Sequence, residues 1–151
     1  MTIRTATAAD LPQLAAQYRA FFLEDGIATA PHVIEANLGH MIEDPRAVIL
    51  VAETGAGIEG FAAGSLTFGV EFGWSAELED LYVAPSCRGR GWARRLAAAV
   101  VDWAEDKGAE ATFLVITPEA ESEQGLTAFY ERLGFRDSGR ITMFKAKPEP
   151  S

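Results

Sequence analysis

The sequence contains very little cysteine and histidine, and their scarcity excludes several kinds of catalytic and metal site. Cys87 is the only cysteine, and His32 and His40 are the only histidines. A single cysteine cannot close a disulfide within the chain, and this usage fits a reducing compartment. So few of these residues give no metal-ligating cluster and no Ser-His-Asp or Cys-His catalytic set. We therefore expect no bound metal.

Basic residues and long apolar runs are also scarce. The 13 lysines and arginines stand against 22 aspartates and glutamates, which gives a net charge of −9. Nucleic-acid binding as a main role is disfavoured, because phosphate contacts need a basic surface, whereas a cationic partner fits more easily. No apolar run has the length of a membrane span, and the N-terminus lacks the pattern of a secretory signal. We expect a cytoplasmic protein that binds neither nucleic acid nor membrane.

The residues that are present suffice for one folded domain. The chain has 151 residues, of which 48% are hydrophobic and 23% charged, as is usual for a globular protein with an apolar core. We predict a single domain over residues 1–151, with a frayed tail over 146–151 that contains Pro148 and Pro150.

Local patterns predict a mixed, mostly antiparallel central sheet flanked by about four helices. The predicted elements are a strand over 2–6, a helix from the cap at Thr7 to Leu23, a helix over 32–42, strands over 48–52, 59–68 and 77–83, a helix over 91–107, a strand over 112–116, a helix over 125–133 and a hairpin over 135–145. Residues 69–75 and 118–124 are predicted to be connections, the second an acidic loop. Because the early strands are joined by short turns and the later ones alternate with helices, we expect an α/β (α+β) fold.

A turn rich in arginine and glycine lies between the predicted strand over 77–83 and the predicted helix over 91–107. Glycines allow backbone N–H groups to approach an anion, and the helix N-terminus adds the positive end of its dipole. The simpler interpretation is an ordinary connection with a solvated basic face. The turn lacks the lysine of a P-loop, and Arg94 stands where a dinucleotide-binding turn needs its third glycine.

The turn does contain the pattern Arg/Gln-x-x-Gly-x-Gly/Ala, formed by Arg88, Gly91 and Ala93. Through it, residues 78–96 resemble the acetyl-CoA pyrophosphate motif of the GNAT superfamily of N-acetyltransferases. Residues 128–135, Ala-Phe-Tyr-Glu-Arg-Leu-Gly-Phe, resemble the second hallmark of that family. The order of the predicted elements is similar as well. The resemblance implies a GNAT-like acyl-CoA N-acyltransferase fold and acetyl-CoA as the cosubstrate.

The resemblance also implies which residues hold acetyl-CoA. Backbone N–H groups of one continuous run would bind the pyrophosphate, and the run consists of Arg88, Gly89, Arg90, Gly91, Trp92, Ala93 and Arg94. Backbone groups of Leu81, Tyr82 and Val83 would pair with the pantetheine arm as an added strand, and one of their N–H groups would stabilise the developing oxyanion. The family often has an asparagine where this chain has Glu123, so one cofactor contact differs here.

Tyr130 aligns with the tyrosine that serves as general acid in many members of the family. The departing CoA thiolate resembles a thiol with a pKa of about 8.5, and a phenol with a pKa near 10 can return a proton to it. The alternative is that Tyr130 is a core residue, because it shares an apolar helix face with Leu126, Phe129 and Leu133. The context of the motif favours the catalytic interpretation.

Glu79 and Asp80 are candidates for the base that accepts the proton of the attacking amine. By simple alternation Glu79 shares a face with Leu81, and Asp80 shares one with Tyr82. The family often has a bulge in this strand, which would break that parity. We favour Glu79 acting through water. The alternative is that one carboxylate pairs with an arginine and the other is solvated.

The run Leu-Glu-Asp-Leu-Tyr-Val followed by Arg-Gly-Arg-Gly particularly resembles the diamine and polyamine acetyltransferase branch, in which a glutamate at the position of Glu79 is implicated. The resemblance implies direct transfer of the acetyl group to a primary amine of a small molecule, such as a polyamine, or of a peptide, without an acyl-enzyme. Relatives are often homodimers. The alternative is a CoA-binding regulatory or interaction module without turnover.

Overall fold

A computed structural model describes residues 1–150, and contacts divide the chain into two compact units. The first unit is Met1–Leu114, and the second begins at Val115. Ser151, the last residue of the predicted tail, lies outside the described residues. Across residues 1–150, no helix combines the length and the apolar character needed to cross a bilayer.

The first unit is built on a sheet of five strands, which neighbour one another in chain order. The strands are β1 (Thr2–Thr5), β2 (Ala47–Thr54), β3 (Gly57–Gly69), β4 (Gly73–Val83) and β5 (Thr112–Phe113). The first four pair antiparallel, and β5 pairs parallel to β4. This confirms the predicted mixed, mostly antiparallel sheet.

Residues 1–150 contain five α-helices, three in the first unit and two in the second. They are α1 (Leu11–Asp25), α2 (Pro31–Glu43), α3 (Trp92–Asp106), α4 (Pro118–Gln124) and α5 (Leu126–Glu131). The predicted cap before α1 is present, since the Asp10 carboxylate accepts a hydrogen bond from the Thr7 N–H at 2.8 Å. Gly26, with a φ of 70°, ends α1 in the left-handed conformation that glycine adopts readily.

Each face of the sheet is covered by different helices. The core under α1 and α2 consists of apolar side chains from those helices and from the sheet, chiefly Leu14, Ala15, Tyr18, Ile34, Leu38, Ile49, Val51, Phe61, Ala63 and Tyr82. The other face packs against α3, where Val100 is fully buried. A Cβ added at Gly64 would lie 2.8 Å from Cγ1 of Val100, so glycine is required for this close approach.

The β3–β4 hairpin is longer than predicted, so the connection expected over residues 69–75 is largely wrong. β3 continues to Gly69, and β4 already begins at Gly73. Phe68 and Trp74 are cross-strand partners, and their rings meet edge to face with centroids 5.0 Å apart. Such aromatic pairs stabilise antiparallel strands, which explains why pairing extends to the tip.

In the second unit, residues 118–124 form helix α4 and not the predicted acidic loop. The Thr117 hydroxyl caps the helix by accepting from the Ala120 N–H at 3.2 Å, and Pro118 occupies its first turn. Glu119 and Glu121 lie near the positive end of the helix dipole. The sequence pattern missed α4 because almost all of its residues are exposed, which leaves no apolar periodicity.

The predicted hairpin over residues 135–145 is also wrong. Its turn is present, since Gly139 has a φ of 73° and its N–H donates to the Asp137 carboxylate at 2.8 Å. No strand is found on either side of this turn within the described residues, and Ile141 and Phe144 are about nine-tenths exposed. An isolated two-stranded hairpin is marginal in water, so local turn chemistry did not suffice to form the ladder.

Candidate active site

A bulge in β4 determines how its two carboxylates are oriented. Ala63 of β3 pairs with Asp80, whereas the next residue, Gly64, pairs with Leu78, so Glu79 is the extra residue. Because cross-strand partners lie on the same face, Asp80 shares the face of Ala63, under α1 and α2. Leu78 shares the face of Gly64, under α3.

The bulge brings Glu79 and Asp80 to the same face of the sheet. The Glu79 carboxylate accepts a hydrogen bond from the Ser65 hydroxyl, and Ser65 lies two residues from Ala63 on β3. The expectation from simple alternation, that Glu79 shares a face with Leu81, is therefore wrong. The physical reason is the extra residue, and the bulge that the family resemblance implied is confirmed.

Asp80 is the more buried of the two carboxylates and has a perturbed pKa. Its Oδ2 accepts a hydrogen bond from the Tyr18 hydroxyl of α1 at 3.0 Å. The pKa of Asp80 is raised to about 6, chiefly by burial and also by the negative charges of Glu79 and Glu77, against the lowering effect of the Tyr18 hydrogen bond. The carboxylate therefore titrates close to neutral pH, as suits a group that exchanges protons with a substrate.

Glu79 lies in a more open environment. It borders a cleft of about 280 Å³ between α2 and the sheet. The lining residues are Met41, Asp44, Arg46, Ala47, Ser65, Leu66 and Glu79. A small molecule in this cleft would meet the exposed Glu79 carboxylate without needing to open the core.

β4 has a free edge next to these carboxylates. Pairing with β5 stops at Glu77, and no strand in the described part of the chain pairs with that edge further along β4. The Ala84 N–H donates to the Glu59 carbonyl near the beginning of β3. Since backbone groups alternate between the two edges of a strand, those of Leu81 and Val83 lie on the free edge.

The three residues expected to pair with pantetheine are thus divided. Leu81 and Val83 present their N–H groups at the free edge, where an extended arm can add as a strand, while the backbone of Tyr82 faces β3. The Val83 carbonyl already accepts a hydrogen bond from Nε of Arg88 at 2.8 Å. The edge therefore fits the extended arm of an acyl-CoA at Leu81 and at the Val83 N–H.

The turn after β4 presents a row of unpaired backbone donors. Gly89 and Gly91 have φ values of 78° and 83°, and a side chain added at either would meet nothing within 4 Å. The first bond into α3 runs from the Arg95 N–H to the Gly91 carbonyl. Among residues 1–150, no backbone carbonyl accepts a hydrogen bond from the N–H groups of 89–94. Open space, free N–H groups and a helix N-terminus together fit a pyrophosphate.

The arginines of this turn have different surroundings. Arg88 donates to the Glu24 carboxylate at 2.8 Å, and its guanidinium lies 5.5 Å from the centroid of the Tyr82 ring. Arg95 stacks over Trp92 at 4.2 Å. Arg90 and Arg94 are exposed and have no ion pair within the described residues. These last two side chains are the ones available to a phosphate.

Tyr130 lies on α5 in the second unit. Its ring is buried and meets the rings of Phe129 and Phe135 edge to face, at centroid distances of 5.0 and 5.7 Å. Burial raises the pKa of Tyr130 to about 12. The phenol therefore stays protonated across the neutral range and can act as a hydrogen-bond donor.

A five-stranded sheet with a free, bulged strand edge leading into a glycine turn at a helix N-terminus fits an acyl-CoA-dependent acyltransferase. The sequence matches the acetyltransferase (GNAT) family over residues 11–135, most of the chain, and the protein belongs to this family. It is an N-acetyltransferase that takes its acetyl group from acetyl-CoA.

Individual relatives agree with this assignment. The N-acetyltransferase YhfO of Bacillus subtilis, itself uncharacterised, is 31% identical over 135 residues, which are 89% of this chain and 87% of the relative. An aminoglycoside N(6')-acetyltransferase type 1 of Salmonella typhimurium is 33% identical over 70 residues, 46% of each chain. The crystal structure of aminoglycoside N-acetyltransferase AAC(6')-Iy in complex with CoA has the same fold, with a TM-score of 0.81, 22% identity and coverage of 97% of this chain and 95% of that one.

Proposed function

We propose that this enzyme acetylates a primary amine of a small molecule that carries several positive charges. The observation that carries the proposal is the arrangement of β4. Its free edge at Leu81 and Val83 suits the arm of acetyl-CoA, and the carboxylates of Glu79 and Asp80 lie directly beside that edge, on the face under α1. An ammonium group attracted by the carboxylates would thus meet the thioester carried by the same strand.

Negative charge around Asp80 supports a cationic acceptor. Glu79, Glu77 and Asp25 all act on its carboxylate, and the chain as a whole has a net charge of −9. The Salmonella relative is named for aminoglycosides, and the run Leu-Glu-Asp-Leu-Tyr-Val resembles the polyamine branch. Polyamines and aminoglycosides share several ammonium groups on one small molecule, so a polyamine or a similar polycation is the acceptor class that we propose. A peptide amine is the second acceptor to be tested.

Both carboxylates take part in our mechanism. An amine arrives mostly protonated and must lose a proton before its lone pair can attack. We assign proton acceptance to Asp80, directly or through water, because its pKa of about 6 is nearer to neutral than that of an ordinary aspartate. Glu79, which the sequence favoured as the base, then attracts and orients the acceptor at the cleft.

The transfer itself is direct. The amine nitrogen attacks the thioester carbon, and an N–H group on the free edge of β4 stabilises the oxyanion. The C–S bond then breaks with its electron pair on sulfur, and the second proton of the nitrogen goes to the thiolate. The resemblance assigns Tyr130 to that thiolate. With a pKa of about 12, its phenol stabilises the thiolate chiefly by hydrogen bonding.

An acceptor screen with acetyl-CoA tests the proposal. Spermidine, putrescine, an aminoglycoside, single amino acids and a short peptide are compared by release of free CoA thiol, and products are identified by mass spectrometry. We expect the highest kcat/KM with the polycations. CoA binding measured by calorimetry without thiol release from any amine would favour a regulatory module that binds CoA without turnover.

We also propose that the protein acts in the cytoplasm and assembles as a homodimer, as relatives often do. The single cysteine, Cys87, is buried, which agrees with a reducing compartment. Light scattering coupled to size-exclusion chromatography measures the assembly directly. A monomeric mass at working concentration would contradict the dimer.

A further inference from the structure

Tyr18 connects helix α1 to the carboxylates on β4. Its hydroxyl donates to Oδ2 of Asp80 at 3.0 Å. The side chain is only 4% exposed, and its ring stacks on Phe61 with centroids 4.0 Å apart and planes inclined by 14°. The Phe22 ring meets it edge to face at 5.6 Å. These ring contacts fix the position of the hydroxyl, and hence of the carboxylate oxygen that it binds.

The surroundings of Asp80 give this hydrogen bond a particular role. Burial disfavours the ionised carboxylate, and so do three negative groups, Glu79 and Glu77 on β4 and Asp25 at the end of α1. Among the described residues, the hydrogen bond from Tyr18 is the interaction with Asp80 that favours ionisation. Oδ1 of Asp80 receives no hydrogen bond from them.

We propose that Tyr18 is a positioning residue for acetyl transfer, an inference that rests on the proposed function. Tyr18 holds Oδ2 of Asp80 so that Oδ1 faces the acceptor ammonium. An N–H bond of the ammonium breaks as an O–H bond forms at Oδ1, and the electron pair stays on nitrogen. That pair then attacks the thioester carbon, the pair of the C–S bond leaves with sulfur, and the second proton of the nitrogen goes to the thiolate. Tyr18 keeps its own proton throughout, because burial raises its pKa well above the ordinary value.

A purely structural role for Tyr18 makes a different prediction. Phenylalanine would fill the same space against Phe61 and would suffice for packing. It would, however, leave the Asp80 carboxylate largely buried without its donor, which favours the protonated acid. The hydroxyl therefore matters for the protonation of Asp80, and the pH dependence of catalysis distinguishes the two roles.

The first test is Tyr18→Phe, which removes the hydroxyl and retains the ring. We expect the acid limb of kcat/KM for the acceptor to move to higher pH by about one pH unit, while the KM for acetyl-CoA stays within about twofold. The control is Ile34→Val, which makes a small change in the same core and leaves the Tyr18 hydroxyl and its ring contacts in place. Its acid limb should stay at the wild-type pH. An unmoved acid limb in Tyr18→Phe would overturn the positioning role.

The second test does not depend on turnover. Carbon-13 NMR with labelled aspartate follows the titration of the Asp80 carboxyl, whose signal is identified by its loss in Asp80→Asn. We expect a higher titration midpoint in Tyr18→Phe than in the wild type, and an equal midpoint would overturn the inference. A wild type that releases no thiol with any amine would overturn the proposed function, and the NMR midpoints would then decide the Tyr18–Asp80 coupling separately.

Discussion

The cofactor turn and the carboxylate pair lie within about ten residues of each other, yet they depend on different parts of the polypeptide. The turn presents backbone N–H groups, and its side-chain requirement is glycine at positions of positive φ, Gly89 and Gly91. The carboxylates act through side chains, and each is held by a residue from another element, Asp80 by Tyr18 and Glu79 by Ser65. With the roles that we propose, cofactor binding is encoded locally, whereas the acceptor site is assembled from distant segments.

Replacement of Tyr130, which belongs to neither region, should lower turnover and leave cofactor binding nearly unchanged. Tyr130→Phe removes the proposed donor to the thiolate and keeps the buried ring with its contacts to Phe129 and Phe135. We expect kcat to fall by about 10²-fold, since one hydrogen-bond donor to a developing anion contributes on this scale. Steady-state kinetics and calorimetry with CoA check the prediction. Unchanged kcat would remove Tyr130 from its proposed role.

A backbone change in the turn should lower the affinity for acetyl-CoA more than it lowers turnover. Alanine at Gly91 is strained because the φ of this residue is 83°. We expect Gly91→Ala to raise the Kd for acetyl-CoA about tenfold, as the N–H groups after it shift. Gly55→Ala is the control, because Gly55 has no positive φ and nothing within 4 Å of an added Cβ. Equal affinities in the two variants would contradict a pyrophosphate site at the turn.

Loss of the Ser65 hydroxyl beside Glu79 should change the pH dependence of kcat/KM less than loss of the Tyr18 hydroxyl beside Asp80. Ser65→Ala removes the hydrogen bond to Glu79 in an exposed position, where water replaces it. We expect kcat/KM for the acceptor to change by less than about threefold, with no movement of the acid limb. A shift as large as that expected for Tyr18→Phe would show that the two carboxylates have exchanged roles.

The smallest expected effect is on thermal stability, and it has opposite signs for Asp80 and Asp10. The pKa of Asp80 in the fold, about 6, exceeds its unfolded value of about 3.9, so the carboxylate destabilises the fold increasingly as the pH rises from 4 through 6. Asp10 is the reverse case, because the hydrogen bond from Arg4 lowers its pKa to about 2. Its contribution to stability is present above about pH 4 and is lost as the pH falls through 2.

At pH 8 we therefore expect Asp80→Asn to raise Tm by a few degrees and Asp10→Asn to lower it. Near pH 4 the difference between wild type and Asp80→Asn should disappear, because Asp80 is then protonated in the fold. Thermal unfolding followed by circular dichroism at the two pH values measures both variants. A lower Tm for Asp80→Asn at pH 8 would contradict the assignment of Asp80 as a charge retained for function.

The same contrast explains how much the sequence could predict. The strand, glycine turn and helix around Gly91 were predictable because each signal is local, and so were the sheet and the family. The Tyr18–Asp80 hydrogen bond joins residues 62 apart, and Tyr18 looks like any apolar position of α1 in the sequence pattern. Nothing local distinguishes a buried tyrosine with a carboxylate partner from one without.

The bulge and the second unit show two further limits. The bulge at Glu79 results from pairing with β3, so alternation within β4 alone gave the wrong face for Glu79. Helix α4 lacked an apolar stripe, although its cap at Thr117 and its proline were visible signals. In contrast, the turn at Gly139 was predictable, but strands on either side of it require a partner that local sequence does not supply.

In our mechanism, Asp80 accepts the proton of the acceptor ammonium, while Glu79 attracts and orients the acceptor. The most direct test is the pH dependence of kcat/KM in Asp80→Asn and in Glu79→Gln, with an acceptor whose own pKa is above about 9. We predict that the acid limb near pH 6 disappears in Asp80→Asn and that activity at pH 7.5 falls by about 10²-fold, whereas Glu79→Gln keeps the limb and weakens acceptor binding. An acid limb that survives in Asp80→Asn and disappears in Glu79→Gln would contradict this division of roles between the two carboxylates.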